Sequence, residues 1–311
     1  MAISKLAVIG ECMAELSGFE SDSISLKWGG DVLNTAIYCK RAMQNSVAVS
    51  VVTAMGTEQL SRQIIQDWAD KGLSTEHVIK DERHHVGLYA IHNHDDGERT
   101  FTYWRNDSAA KYMMQHPNVD SIFGHLSDFD AVYFSGISLA ILPQDDRQKL
   151  VDQLAQLKRH GIKVIFDGNY RARLWESDSA AQACYKQAYA LADLLLLTFD
   201  DEAALWGDKD IEDCAQRLST FNQHELVIKS GADGCYYLNN LAQRDNQNLI
   251  HFPTQKISNV VDTTAAGDSF NGGFIAGWLQ SETIESCANL ANFIASQVIQ
   301  KKGAIVPVDI N

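Results

Sequence analysis

Val261-Asp262-Thr263-Thr264-Ala265-Ala266-Gly267-Asp268-Ser269-Phe270-Asn271-Gly272-Gly273 is a run of small residues leading into an apolar-periodic segment through Phe274, Ile275, Trp278 and Leu279. Such a pattern starts a helix. The first amides of a helix have no partner within it, and side chains as small as these leave them open to an anion such as a phosphoryl group. Asp268 stands at the head of this helix. A carboxylate there is suited to accept a hydroxyl proton while the amides hold the charge that develops on a transferring phosphoryl group. It is equally suited to cap the helix and do nothing else.

Upstream of this stretch, short apolar runs alternate with helical patterns. Residues 6–10, 47–53, 131–135, 162–167, 193–198 and 226–229 read as buried strands. Helices are expected near 31–45, 59–71, 144–160, 179–191, 210–220, 268–280 and 284–301. Continuous apolar strands separated by helices predict an α/β fold with a largely parallel sheet covered on both faces. With 311 residues, 45% of them apolar, and no linker or internal repeat, the chain reads as a single domain over 1–311.

One region breaks the rhythm. Residues 86–105 alternate in strand fashion about Asp95-Asp96-Gly97, which predicts a hairpin with a three-residue loop. Pairing His94 with Glu98 sets Tyr89 opposite Tyr103 and Gly87 opposite Arg105, so Tyr89, Ile91, Phe101, Tyr103 and Arg105 share a face. Either this is an amphipathic hairpin with an exposed arginine, or two phenols and a guanidinium converge on a ligand. Segment 13–28 is expected to add strands, giving a small sheet over about 12–30 and 85–107.

Forty acidic residues against 26 basic give a formal charge of −14, and no cluster of Lys or Arg exceeds two, which argues against nucleic acid as a partner. No apolar run approaches the ~18 residues of a membrane span. The opening MAISKLAVIGECM reads as a first buried strand rather than a signal peptide. Six scattered cysteines without a C-x-x-C pair fit reduced thiols, and a cytoplasmic location is expected. The histidines at 84, 85, 92 and 94 lack a third ligand at useful spacing, and the tryptophans at 68, 206 and 278 are expected to anchor packing.

The 261–273 string resembles the second signature of the ribokinase-like (PfkB) carbohydrate kinases, and Gly29-Gly30-Asp31-Val32-Leu33-Asn34-Thr35-Ala36 resembles the first. The opening V-I-G-E strand and the loop Lys229-Ser230-Gly231-Ala232-Asp233-Gly234 agree. This resemblance implies a three-layer α/β/α domain with a mostly parallel central sheet and a small β-sheet lid. It also implies ATP and Mg²⁺ as cofactors and leaves a monovalent cation open. A homodimer or higher homo-oligomer formed through the lid is expected of the family.

Residues 97–106 (GERTFTYWRN), 135–140 (SGISLA) and 166–175 (FDGNYRARLW) are similar to the branch that phosphorylates 2-keto-3-deoxygluconate. The resemblance implies that Tyr89, Tyr103 and Arg105 close over a six-carbon keto acid, whose carboxylate suits a guanidinium. Gly30 and Asn34 are expected on its hydroxyls, and Arg171 between substrate and phosphate. Asp268 is the implied base, with Ala265, Ala266 and Gly267 as the anion hole.

For ATP the resemblance points to Asn169, Lys229, Gly231, Gly234, Asn292 and the 265–267 turn. In place of the family's N-x-x-E stands Phe199-Asp200-Asp201-Glu202, which keeps only Glu202 to position magnesium through water. Ala265 replaces the usual glycine, a costly change if positive φ is needed there. Glu15 stands where many relatives carry a substrate-binding aspartate. A kinase for a neutral sugar, a non-catalytic sugar-binding module and a dinucleotide-binding oxidoreductase are the alternatives; no G-x-G-x-x-G follows the first strand and no Walker-type loop occurs.

Overall fold

The computed structural model describes residues 4–19, 23–43, 46–93, 99–221, 225–239 and 249–310. Its strands are β1 (Ser4–Ile9), β2 (Met13–Ser17), β3 (Ser25–Gly29), β4 (Val47–Gly56), β5 (Val78–Asp81), β6 (Gly87–Asn93), β7 (Arg99–Trp104), β8 (Ala131–Ser135), β9 (Lys163–Asp167), β10 (Leu194–Thr198), β11 (Glu225–Lys229), β12 (Cys235–Asn239) and β13 (Ile250–Phe252). The helices are α1 (Asp31–Met43), α2 (Gln59–Asp70), α3 (Val119–His125), α4 (Gly136–Ala140), α5 (Gln144–Arg159), α6 (Asp178–Leu191), α7 (Phe199–Trp206), α8 (Ile211–Leu218), α9 (Ala266–Leu279) and α10 (Ile284–Val298).

Nine strands form one sheet in the order β13-β12-β11-β10-β9-β8-β1-β4-β5. From β11 to β5 every pairing is parallel, and β12 and β13 add an antiparallel edge. Strand alternation deals side chains to two cores. Val132, Phe134 and Phe166 join α5 and α6 on one face, while Ala131, Tyr133 and Ile165 join α1 and α9 on the other. The α/β class, the parallel sheet and the separate small sheet all hold.

The small sheet has the order β3-β2-β6-β7. Its hairpin keeps the expected register, with Tyr89 opposite Tyr103 and Ile91 opposite Phe101. The 95–97 loop and the His94–Glu98 pair lie outside the described residues.

The two glycines that end the opening stretch are packing residues. α9 runs between α1 and α10, and a β-carbon on Gly272 would lie 2.7 Å from Tyr38 Cβ and 2.8 Å from both Cys39 N and Thr35 O of α1. Two of those atoms are backbone, so relief requires the helices to part. Gly272→Ala is therefore expected to cost about 1–3 kcal/mol of stability, seen as a lower urea midpoint with an unchanged m-value. An unshifted midpoint would show that α1 and α9 separate freely.

Candidate active site

β1 lies between β4 on one side and β8 on the other, so the chain reverses its direction of travel across the sheet at this strand. Ligands of open α/β sheets sit beyond the carboxyl ends of the strands at such a point. Here a cleft opens, lined by Glu11 after β1, Gly30 and Asp31 at the start of α1, Ile137 after β8, Arg171 and Arg173 after β9, and Tyr103 and Arg105 of the small sheet.

Asp268 sits in the first turn of α9, as its place in the opening stretch predicts. Asn34 donates to its carboxylate (Nδ2 to Oδ2, 2.8 Å), and Thr35 donates to its backbone carbonyl (3.2 Å). Burial pushes the Asp268 carboxyl up to about 7; Asp31 and Asp167 push the same way, while the Asn34 hydrogen bond and Lys229 oppose them. Carboxyls perturbed in this way cluster at functional sites, and burial gives the networked Glu202 a similar value.

Ala265 caps the same helix at φ 61°, in the left-handed region. The conformation that glycine would adopt freely is kept here despite the methyl group, at a cost of about 1 kcal/mol. Strain of this kind clusters at active sites and ligand clamps.

Lys229 is not a surface lysine. It is buried at the end of β11, donating to Asp167 (3.1 Å) and to Asn271 Oδ1 (3.0 Å). A β-carbon on Gly267 would lie 3.7 Å from its Nζ, so the ammonium lies close to the 265–267 turn. Tyr133 completes this floor, donating to Asp167 (3.2 Å) and accepting from Asn271 (3.3 Å).

Asn169 is buried with φ 41°, and its amide donates to Asp31 (2.9 Å). Ser135 donates to the same carboxylate oxygen (2.5 Å). Asp31 thus joins the site although sequence reasoning passed over it; its place directly after the glycine pair was the available signal. Gly231 and Gly234, at φ 51° and 93°, shape the turn from β11 to β12. Asn292 spends its amide on the Phe252 and Pro253 carbonyls (3.3 and 3.5 Å), bracing the segment after β13.

On the lid side, Tyr89 and Tyr103 stack with centroids 5.8 Å apart. Arg105 is not exposed: its side chain is 10% accessible and pairs with the buried Glu11 carboxylate. Tyr89 donates to Glu15, so that carboxylate is engaged within the lid. Arg171 donates to the Tyr170 carbonyl (2.6 Å) and to Asp201 (3.2 Å). Arg173, within the 166–175 stretch but given no role there, reaches from the core to the lid: it donates to the Tyr103 hydroxyl (2.5 Å) and its guanidinium lies 4.3 Å from that ring's centroid.

Glu202, expected to position magnesium through water, belongs to a buried network. It is fully buried, accepts from Tyr189 (2.9 and 2.8 Å) and pairs with Arg217 (2.7 Å). Burial pushes its pKa up to about 7 against the pull of Arg217. Its Oε1 also lies near the turn that carries Asn169, since a β-carbon on Gly168 would be 3.2 Å from it. Its neighbour Asp201 pairs with Arg171, which lines the cleft. Glu202, Asp208 and Cys214 do cluster closely, but Arg217 already bridges the two carboxylates. Of the histidines, His84 pairs with Asp81 and His85 with Glu58.

The chain is similar to known proteins over nearly its whole length. A model described as pfkB family carbohydrate kinase matches residues 3–311. The chain is 44% identical over 305 residues to the 2-dehydro-3-deoxygluconokinase of Haemophilus influenzae, covering 98% of this chain and 96% of that one. It is 42% identical over 306 residues to the enzyme of the same name from Escherichia coli K12, covering 97% of each. Among solved structures, the PfkB protein of Polaromonas sp. JS666 superposes with a TM-score of 0.81 at 20% identity, covering 96% of each chain. Aminoimidazole riboside kinase from Salmonella enterica superposes with a TM-score of 0.79 at 21% identity, covering 96% of this chain and 94% of that one.

Proposed function

The chain belongs to the pfkB family of carbohydrate kinases, and from that premise we propose that it transfers the γ-phosphoryl group of ATP to the terminal hydroxyl of 2-keto-3-deoxygluconate (2-dehydro-3-deoxygluconate), giving 2-keto-3-deoxy-6-phosphogluconate. The observation that carries the choice of substrate is the convergence of Arg105, Arg171 and Arg173 with Tyr103 on one cleft. Guanidiniums recognise a carboxylate by paired, charge-assisted hydrogen bonds, which a neutral sugar does not offer. Two relatives above 40% identity carry the corresponding name.

In this reading Asp268 accepts the proton of the attacking hydroxyl, and Asn34, already on its carboxylate, orients it. The amides of 265–267 and the ammonium of Lys229 receive the phosphoryl oxygens, whose negative charge peaks in the transition state. Gly30, held side-chain-free by the Glu11 carbonyl against which it packs, lines the cleft and meets the substrate through its backbone. Asn169, Gly231, Gly234 and Asn292 border the nucleotide. Magnesium on the ATP phosphates would supply charge neutralisation. Glu202, acting through water, and Asp201, beside Arg171, are the carboxylates that would hold such a hard cation.

The lid leaves Ile24, Leu26 and Trp104 exposed, at 58%, 44% and 56%, which supports a second copy of the chain as the lid's partner. No described helix is long and apolar enough to cross a membrane. The six cysteines are free thiols, which supports a cytoplasmic setting.

The test is ADP release from Mg-ATP with 2-keto-3-deoxygluconate, gluconate, fructose and ribose. Turnover is expected with the first and at most marginal with the last two. Preference for fructose or ribose would move the assignment to a neutral-sugar kinase, and inertness with all four would favour a non-catalytic sugar-binding module.

A further inference from the structure

The chain crosses between core and lid at four places. It enters through Glu11 and Cys12 after β1, leaves at Gly30 after β3, enters again at Gly87 to start β6, and leaves at Arg105 after β7. All of these crossings meet at one side chain and its backbone. The Glu11 carbonyl lies under Gly30, where any β-carbon would overlap it. Its carboxylate faces the third crossing, since a β-carbon on Gly87 would lie 2.8 Å from Oε1. That same oxygen accepts from Ser108 (2.5 Å), three residues past the fourth crossing, and Oε2 pairs with Arg105.

A buried carboxylate is costly unless paired, so one left at this junction marks a geometric requirement. Arg105 both meets Glu11 and lines the cleft. A guanidinium has two edges that can each serve a carboxylate. We infer that Glu11 is a positioning residue for substrate recognition: it grips one edge of Arg105, presents the rest of the guanidinium to the acid group of the substrate, and ties the four lid crossings into one hinge. This deepens the sugar-acid reading and rests on it.

Under this arrangement Glu11 touches no reacting atom, so its loss is felt in binding of the acid rather than in chemistry. Glu11→Gln keeps the shape and removes the charge. Its KM for 2-keto-3-deoxygluconate is expected to rise roughly 10-fold, the effect of one misoriented charge-assisted hydrogen bond. KM for ATP and kcat should stay within about twofold. Because Glu11 acts through Arg105, the same substitution in an Arg105→Ala background should add less than about twofold.

An unchanged KM in Glu11→Gln, or an effect that multiplies undiminished in the double variant, overturns the assignment while leaving the substrate reading intact. If Glu11→Gln does not fold, Ser108→Ala decides: it loosens Glu11 without uncovering a charge, and a KM for the acid raised about threefold at constant kcat supports the hinge, whereas no change overturns it. Absence of wild-type turnover on the keto acid is a separate result and defeats the substrate reading, together with what is built on it.

Discussion

Asp268→Asn is expected to fold, to bind both substrates within a few-fold of the wild type, and to lose turnover by about 10²–10⁴, the range a positioned general base contributes. Asparagine still accepts the Asn34 hydrogen bond but takes no proton from the sugar. Wild-type kcat/KM should rise with pH through about 7, where the buried carboxyl gives up its proton. That limb should be absent from the residual activity of the variant. An active Asp268→Asn enzyme with an unaltered pH profile would remove the base assignment.

The same carboxyl makes a prediction about stability. In the unfolded chain it titrates near 4, and folding raises it, so the folded state holds this proton more tightly. Stability from that source is fully present below about pH 4 and is lost as pH rises through about 7. At pH 8 the wild type therefore carries a buried charge beside Asp31 and Asp167 that the asparagine variant lacks. Asp268→Asn should gain on the order of 2 kcal/mol there and nothing at pH 4, measured as the difference between thermal midpoints at the two values. Lower stability at pH 8 would mean that the carboxylate is stabilised in a way its neighbours do not reveal.

Arg105→Ala is expected to show two large effects at once. KM for 2-keto-3-deoxygluconate should rise about 10–150-fold, the range for losing a hydrogen bond to a charged group. Whatever residual turnover fructose supports should be unaffected by loss of the guanidinium. The fold should also weaken by about 3–5 kcal/mol, because Glu11 is left buried and unpaired. Arg105→Lys restores the charge but not the planar fork, and should recover stability more than KM. A KM within twofold of wild type in Arg105→Ala would favour the neutral-sugar reading. Loss of KM without loss of stability would show that Glu11 finds another partner.

Much of the fold was legible before any coordinates. Apolar runs such as 131–135 and 193–198 are strands because parallel strands are buried on both faces, and the pattern needs no distant information. The hairpin register followed from loop length and alternation, which are also local. At the site, the small-residue turn before Asp268 located the helix start and its candidate base, and the Gly30-to-Asn34 stretch found the element that meets it.

What local pattern could not supply is burial and partnership between residues far apart in the chain. Lys229 at a strand end reads equally as surface or core; only its packing between Asp167 and Asn271 decides. Glu202 and Asp201 are neighbours in sequence, yet a turn of helix points one at Arg217 and leaves the other beside Arg171. Arg173 needed the lid's Tyr103, 70 residues away, to show its place. Glu11 needed four crossings to fold onto it. By itself the sequence determined the elements and the chemistry they could carry, because periodicity and turn residues act over a few positions. The tertiary structure alone decided which charges face the cleft and which are spent on one another, because charge pairing depends on distance in space, and folding brings together residues that the chain keeps far apart.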